Sequence, residues 1–421
     1  MSMKNLKVDE LEENIDEVKE VVEDVFSALV ATVVVSCIIL FVILLRVYIR
    51  WGTENPSRNK MEGKTVIITG ANTGLGKATA IELAKRKARV ILGIRDKNKG
   101  EAVARSIKKK TGNQNVFAEV LDLANLRSIQ DFVYRFNDKE SALHVLINNA
   151  GYMGPKASTN DGIERCLGVN HLGHFYLTLL LKEKLKKCAP SRVINVVSDA
   201  YLKGKLDFED LAMTKSYDIY KAYCRSKLAQ MVFSMECHRH FFSDVVCSYA
   251  VHPGPCCTDL LRNWPGMNGN MLRAMARILF KTPEEGCQTI VYCAVADKLR
   301  EHSGKLFVNC KAQKMKEIAR DKTRGSKLWA VSLQLCGLPP EIMEEEEEVV
   351  TPEKPKDADL KKREGAAAAA QGKESKLPVL DQAKAAAAAA AKQEAPPVAK
   401  KPAPEPPAKP QPAPVQDPAP S

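Results

Sequence analysis

The stretch TVIITGANTGLGKATAIELAKR, Thr65 to Arg86, reads as a β-branched apolar strand, a glycine-rich turn and a helix, in that order. Gly70, Gly74 and Gly76 let the backbone turn tightly and approach a pyrophosphate, which the N-terminus of the helix they open would stabilise. The spacing is G-x-x-x-G-x-G rather than G-x-G-x-x-G, so the order of strand, loop and helix carries the reading more than the glycines alone. Further along the chain, short apolar runs alternate with helical patterns: RVILGI from Arg89, VFAEVLD from Val116, HVLINNA from His144, RVINVVS from Arg192, VVCSYAVHP from Val245 and KLFVNC from Lys305. Near-continuous apolar strands belong to a parallel sheet covered on both faces. Right-handed crossovers then predict an α/β, Rossmann-like doubly wound parallel sheet with ligands at the carboxyl ends of its strands.

The segment AYCRSKLAQ, Ala222 to Gln230, places Tyr223 and Lys227 four residues apart on a helical pattern, hence on one face. A cation beside a phenol favours the phenolate, which is how a tyrosine is tuned for acid–base work, although a solvated stripe has the same spacing. The context decides between them. TGANTGLG, INNAG at Ile147 to Gly151, Asn170 in GVNHLGHF, Ser198 in VINVVSDA, YCRSK and HPGPCCT occur in the order found in the short-chain dehydrogenase/reductase family. The wording LDLANL, GVNHLGHF and YxxSKLA resembles most closely its membrane-anchored retinol dehydrogenase branch.

That resemblance implies roles residue by residue. Tyr223 is the expected general acid toward a carbonyl oxygen, Lys227 the group that lowers its pKa and holds the nicotinamide ribose, and Ser198 a donor to the same oxygen. Asn170 is expected to hold a water that links Lys227 to solvent. The cofactor loop comprises Gly70, Ala71, Asn72, Thr73, Gly74, Leu75 and Gly76; Asp122 and Leu123 flank the adenine; Asn149, Ala150 and Gly151 lie beneath the cofactor; Pro253, Gly254 and Thr258 cradle the nicotinamide. Two departures are visible: Val197-Ser198 replaces the usual Ser-Ser, and Gln230 replaces an asparagine at a position expected to be peripheral. Leu202 to Lys221, LKGKLDFEDLAMTKSYDIYK, resembles the branch's substrate-side loop. His171 and His174 are expected to pack rather than to catalyse. After the second strand, Arg95 suits the 2′-phosphate of NADP(H), with Asp96 keeping an NAD alternative open. The resemblance thus implies an NADP(H)-dependent oxidoreductase acting on a hydrophobic carbonyl or alcohol such as retinal or retinol, in the direction of reduction. Steroid or lipid-aldehyde reduction are the alternatives.

The flanks are of other kinds. Val25 to Leu45 is uncharged over roughly 21 residues, about 31 Å of helix, enough to span a bilayer. Arg46, Arg50, Arg58 and Lys60 follow it, with Tyr48 and Trp51 as interfacial anchors, and acids precede it, so the positive-inside rule places the N-terminus in the lumen and the domain in the cytosol. A single-pass membrane protein, with the endoplasmic reticulum its expected home, follows. The layout expected is an acidic amphipathic segment at 1–24, a transmembrane helix at 25–45, a basic linker at 46–61, the catalytic domain at 62–339 and a disordered tail at 340–421. In the leader, Leu11, Ile15, Val18, Val22 and Val25 recur at helical spacing, which would suit pairing with a second copy in a homodimer. The tail, with its alanine runs and APPVAKKPAPEPPAKPQPAPVQDPAPS, cannot bury enough apolar surface to fold and serves as a spacer or as a docking segment for a protein partner. A nucleotide-binding scaffold working through that tail is the competing function class, and the intact Asn170, Ser198, Tyr223 and Lys227 set argues against it.

The formal charge of +12 is uneven, because the leader and the tail are both net acidic and the middle is strongly basic. No basic run is interleaved with aromatics, so a phosphate-bearing cofactor or anionic lipid explains the charge better than nucleic acid. The twelve cysteines show no CxxC pair and no metal-ligand spacing. Cys247, His252, Cys256 and Cys257 crowd together, but Pro253 and Gly254 would force zinc ligands around a turn; free thiols in a reducing compartment are the expectation.

Overall fold

The computed structural model describes residues 3–50, 54–257, 260 and 278–339, with the backbone alone for 3–14 and 50. Thr258, Trp51, residues 261–277 and the tail from 340 lie outside the described residues. A long helix, α1 (Met3–Arg50), comes first. There follow β1 (Thr65–Thr69), α2 (Gly74–Lys85), β2 (Arg89–Ile94), α3 (Lys97–Thr111), β3 (Val116–Val120), α4 (Leu126–Lys139) and β4 (Val145–Asn148). The second half runs α5 (Arg165–Leu167), a π-helical turn at Gly168–Leu172, α6 (Gly173–Leu180), α7 (Lys182–Lys187), β5 (Ser191–Val196), α8 (Ile219–Phe241), β6 (Val246–His252), α9 (Pro283–Val295), β7 (Leu306–Val308), β8 (Lys311–Gln313), α10 (Glu317–Arg320) and α11 (Lys322–Leu335).

The eight strands form one sheet in the order β3-β2-β1-β4-β5-β6-β7-β8. All seven expected strands are present and parallel, with Val66 opposite Val90 on one side of β1 and opposite Val145 on the other. The strand order reverses between β1 and β4, the place where a doubly wound sheet opens a crevice. β8 was not foreseen; it is an antiparallel edge strand of three residues, Lys-Ala-Gln, which carry no apolar run to announce it. Alternate residues of each strand feed two cores. Ile67, Ile91, Leu146, Val193 and Ala250 pack under α4, α6, α8 and α11, where Phe132, Phe175, Phe233 and Trp329 fill the layer. Val66, Ile68, Leu92, Ile147, Ile194 and Val251 face α2, α3 and α9. Helix starts are defined locally: Asp96, Asn125, Asp218, Thr282 and Asp321 each accept a backbone N–H of the helix they open.

Helix α1 has no break at the boundaries expected at 24/25 and 45/46, because neither glycine nor proline occurs before Gly52. Its stretch Ile15–Ile49 is long and apolar enough to cross a membrane, and none of it is buried against the domain.

Candidate active site

Every expected site residue that the structure describes lies at or beyond the carboxyl end of a strand, or on a helix packed over those ends. The glycine-rich loop follows β1, Arg95 follows β2, Asp122 and Leu123 follow β3, Asn149 to Gly151 follow β4, Ser198 follows β5, and Pro253 and Gly254 follow β6. Gly70 has φ +64, and a Cβ there would meet the Ala150 Cα at 2.8 Å, so only glycine lets β1 and β4 close at the switch point. Thr69, one residue earlier, is the clasp: its hydroxyl accepts from the Asn149 and Ala150 amides, both at 2.9 Å, and meets His174 Nε2 at 2.9 Å. His174 Nδ1 lies 3.1 Å from the Asn170 carbonyl, which can only accept, so Nδ1 carries the proton and Nε2 receives the Thr69 hydroxyl. Burial pulls His174 and His171 down to about 3, so both stay neutral and packed.

The β1–α2 turn fits a dinucleotide phosphate. Thr73 is extended at the start of α2 and its side chain caps nothing, so the first amides of α2 have no side-chain acceptor at the crevice. Gly76 has no room for a Cβ, which would lie 2.5 Å from both Asn149 Nδ2 and the Gly70 carbonyl. Beyond β2, Asp96 is spent as the cap of α3, accepting from the Lys99 amide at 3.0 Å, whereas Arg95 is exposed and carries no ion pair among the described residues. Asp122 holds its own turn by accepting from the Ala124 amide at 3.0 Å, and Leu123 is buried under α6.

The expected acid–base pair lies on α8. Tyr223 and Lys227 are both buried on its inner face, with the Lys227 ammonium 5.7 Å from the centroid of the Tyr223 ring and donating to the Val196 carbonyl at 3.0 Å. Burial holds the Tyr223 phenol well above its usual range, and the neighbouring Ser198 hydroxyl pulls the other way. Lys227 was expected to set that phenol's pKa. Its ammonium is bonded to a carbonyl and is itself pulled down to about 8 by desolvation.

Asn170 sits in the π-helical turn and is fully buried. Its Oδ1 accepts from the Tyr152 amide at 2.6 Å, and its Nδ2 donates to the Tyr152 carbonyl at 2.9 Å and the Ser226 hydroxyl at 2.8 Å. These three bonds fix Tyr152 and Ser226 beside α8. Gln230 is not peripheral: it is 1% exposed and donates to Asn195 Oδ1 at 3.0 Å, because three residues past Lys227 is again the sheet-facing side of α8. Of the crowded zinc candidates, Cys247 is buried in β6, while His252 Nε2 pairs with Asp199 at 3.2 Å.

Sequence reasoning did not single out Ser226, Cys166 or the Glu164–Arg225 ion pair, which is buried at 2.5 Å behind Tyr223. Ser226 was inside the quoted YCRSK, and its position three residues after Tyr223 was the available signal. A small apolar cluster surrounds the phenol: Met153, Cys166 and Ala222 are buried with it, and Tyr152, Met213, Tyr217 and Leu260 pack against them.

A sheet that reverses at β1/β4, an uncapped glycine-rich helix start and a buried tyrosine beside a serine and a buried lysine define a dinucleotide-dependent oxidoreductase of the short-chain kind. Residues 64–268 match the short chain dehydrogenase family. Among curated proteins, human Retinol dehydrogenase 11 is 46% identical over 281 residues, 66% of this chain and 88% of its own length. Human Retinol dehydrogenase 13 is 44% identical over 303 residues, 70% of this chain and 91% of its own. Among solved structures, an uncharacterized protein from Mycobacterium paratuberculosis aligns with a TM-score of 0.53 at 34% identity, over 66% of this chain and 96% of its own. The chain belongs to the short-chain dehydrogenase family, in its retinol dehydrogenase-like branch. It is an oxidoreductase that works with a nicotinamide cofactor.

Proposed function

We propose that this protein is a membrane-anchored, NADP(H)-dependent reductase of hydrophobic carbonyl compounds of the retinal class. The observation that carries the reading is the Tyr223 phenol, buried beside the Ser198 hydroxyl and a buried Lys227 and walled by apolar side chains. When bound, NADPH supplies the hydride. The phosphates would lie on the open start of α2 beside Gly70, Gly74 and Gly76, and the 2′-phosphate would pair with Arg95, since Asp96 is committed to its helix cap. Asn149 to Gly151, Asp122 and Leu123 would flank the cofactor, and Pro253, Gly254 and Thr258 would hold its nicotinamide end.

The chain's own part is to orient the carbonyl and to hold a proton ready. Ser198 and Tyr223 present two hydroxyls to one oxygen. Burial keeps the Tyr223 phenol neutral at physiological pH, which is the form that donates a proton to the oxygen as it gains negative charge. Lys227, desolvated but cationic at neutral pH, stabilises the phenolate left behind. The apolar wall of Met153, Tyr152 and Leu260 excludes water and receives an apolar chain. Helix α1 would anchor the domain beside the membrane in which such substrates dissolve, with the N-terminus lumenal, the domain cytosolic and the endoplasmic reticulum as the compartment. Cytosolic NADPH, kept mostly reduced, would drive the reaction toward the alcohol.

Tyr223→Phe removes a single hydroxyl and should lower kcat by about a hundredfold or more, the scale of lost general acid catalysis, with NADPH binding retained. Turnover of retinal, steroid and lipid aldehydes by the membrane-bound enzyme checks both the chemistry and the substrate class; parental rates in the folded variant would remove Tyr223 from the mechanism. Arg95→Ala should weaken NADPH by about tenfold to a hundredfold and leave NADH little changed. The ratio of kcat/KM for the two cofactors reads this directly.

A further inference from the structure

Lys281 stands apart from every residue considered so far. It is 3% exposed, although its side chain carries a charge and precedes a helix rather than lying inside one. Its backbone is stitched to the chain that follows β6: the Lys281 amide donates to the Pro255 carbonyl and the Cys257 amide donates to the Lys281 carbonyl, both at 2.9 Å. Its side chain runs across Gly254. A Cβ built on Gly254 would lie 3.2, 3.3 and 3.4 Å from Nζ, Cε and Cδ of Lys281, so the lysine stem occupies the space that a side chain there would need. Gly254 has φ +85, a conformation that glycine adopts freely and leaves as freely, so something other than its own preference must hold it. At its far end the ammonium donates to Asn309 Oδ1 at 2.8 Å. Asn309 and Cys310 form the turn between β7 and β8, with φ of 49 and 59. One residue thus ties the loop after β6, the turn after β7 and the start of α9 together. A leucine or methionine could cover Gly254 but could not reach a polar anchor beyond it.

The same wall extends to the glycine-rich loop. A Cβ on Gly286 of α9 would lie 2.3 Å from Cys256 Sγ and 2.7 Å from Leu75 Cδ2, so the segment after Gly254 is in close contact with the turn after β1.

We propose that Lys281 is a positioning residue for the nicotinamide end of the cofactor: it holds the Pro253–Gly254–Pro255 turn in its left-handed form by bridging Gly254 to Asn309. This inference rests on the reading that Gly254 cradles the nicotinamide. It makes a statement that a general structural role does not, namely that losing Lys281 harms one end of the cofactor and spares the other.

The test compares two ligands on full-length protein in detergent: NADPH, which reaches Gly254, and adenosine 2′,5′-bisphosphate, which occupies the Arg95 end alone. Lys281→Met keeps the stem and removes the polar anchor. It should weaken NADPH by about tenfold while the bisphosphate stays within about twofold. Asn309→Ala, which leaves the lysine in place without its acceptor, should move NADPH in the same direction by a smaller factor, and it decides the matter if Lys281→Met does not fold. NADPH affinity at the parental value in a folded variant, or equal loss of both ligands, would overturn the proposal. Failure of the parent protein to bind NADPH would instead overturn the cofactor reading, and the role of Lys281 with it.

Discussion

Helix α1 and the strands of the sheet draw on the same residues, valine, isoleucine and leucine, yet they leave them in opposite surroundings. Ile67, Ile68 and Leu92 in the sheet are 0% exposed, whereas Val33, Ile38 and Phe41 in α1 are 54%, 57% and 65% exposed. Burying such a side chain is worth about 1.5–3 kcal/mol, so the sheet collects that stabilisation from its own helices and α1 collects none from the domain. Apolar residues run all round α1, and a groove on another protein would cover only one side of it. A hydrocarbon environment covers every side, which is why this arrangement reads as a membrane anchor.

The comparison breaks if the two regions respond alike to substitution. The largest difference is expected between Phe175 and α1. Phe175 is fully buried, with ring centroids 5.4 Å from Phe233 and 5.0 Å from Trp329. Phe175→Ala should cost the domain about 3–5 kcal/mol, seen as a shift of its denaturant midpoint. Val34→Arg should leave that midpoint unchanged and cost about 2.5–3.5 kcal/mol of membrane insertion, seen as protein released by alkaline extraction.

Acid should sharpen the same contrast. His171 and His174 are held at about 3 and His144 at about 4, all three by burial first, against about 6.5 in an unfolded chain. Between those values the unfolded state binds the extra protons, so this stability is fully present above pH 6.5 and is lost as pH falls toward 3. Each imidazole contributes a slope of about 1.4 kcal/mol per pH unit inside its window. Denaturation curves from pH 7 to pH 4 should show this loss, and His171→Gln should reduce the slope by one imidazole's share. Helix α1 contains no histidine, so membrane retention should not follow pH over this range.

The smallest effect is expected where the two regions touch. Arg46 Nη1, near the end of α1, donates to the Ile278 carbonyl at 2.5 Å in an exposed setting. Arg46→Gln should change domain stability by about 0.5 kcal/mol or less, since exposed charged contacts are screened by water. A larger shift in the denaturant midpoint would mean that anchor and domain fold as one unit.

The sequence by itself determined the sheet, the long apolar helix and the shared face of Tyr223 and Lys227, because each is written in local spacing. Apolar runs with alternating destinations specify buried parallel strands, an uncharged run of the right length specifies a span, and a phenol and an ammonium one helical turn apart must share a face. Three-residue β8 escaped because its ladder is decided by β7 beside it and not by its own residues. Tertiary structure alone decided what surrounds the pair. It brought Ser198 from the end of β5 to the Tyr223 hydroxyl, buried Gln230 against Asn195, turned the Asn170 amide onto Tyr152 and Ser226, and laid Lys281 across Gly254. Each of these contacts joins residues far apart in the chain, and no periodicity encodes them. The desolvation of Tyr223 belongs with them, since it depends on everything packed around the phenol.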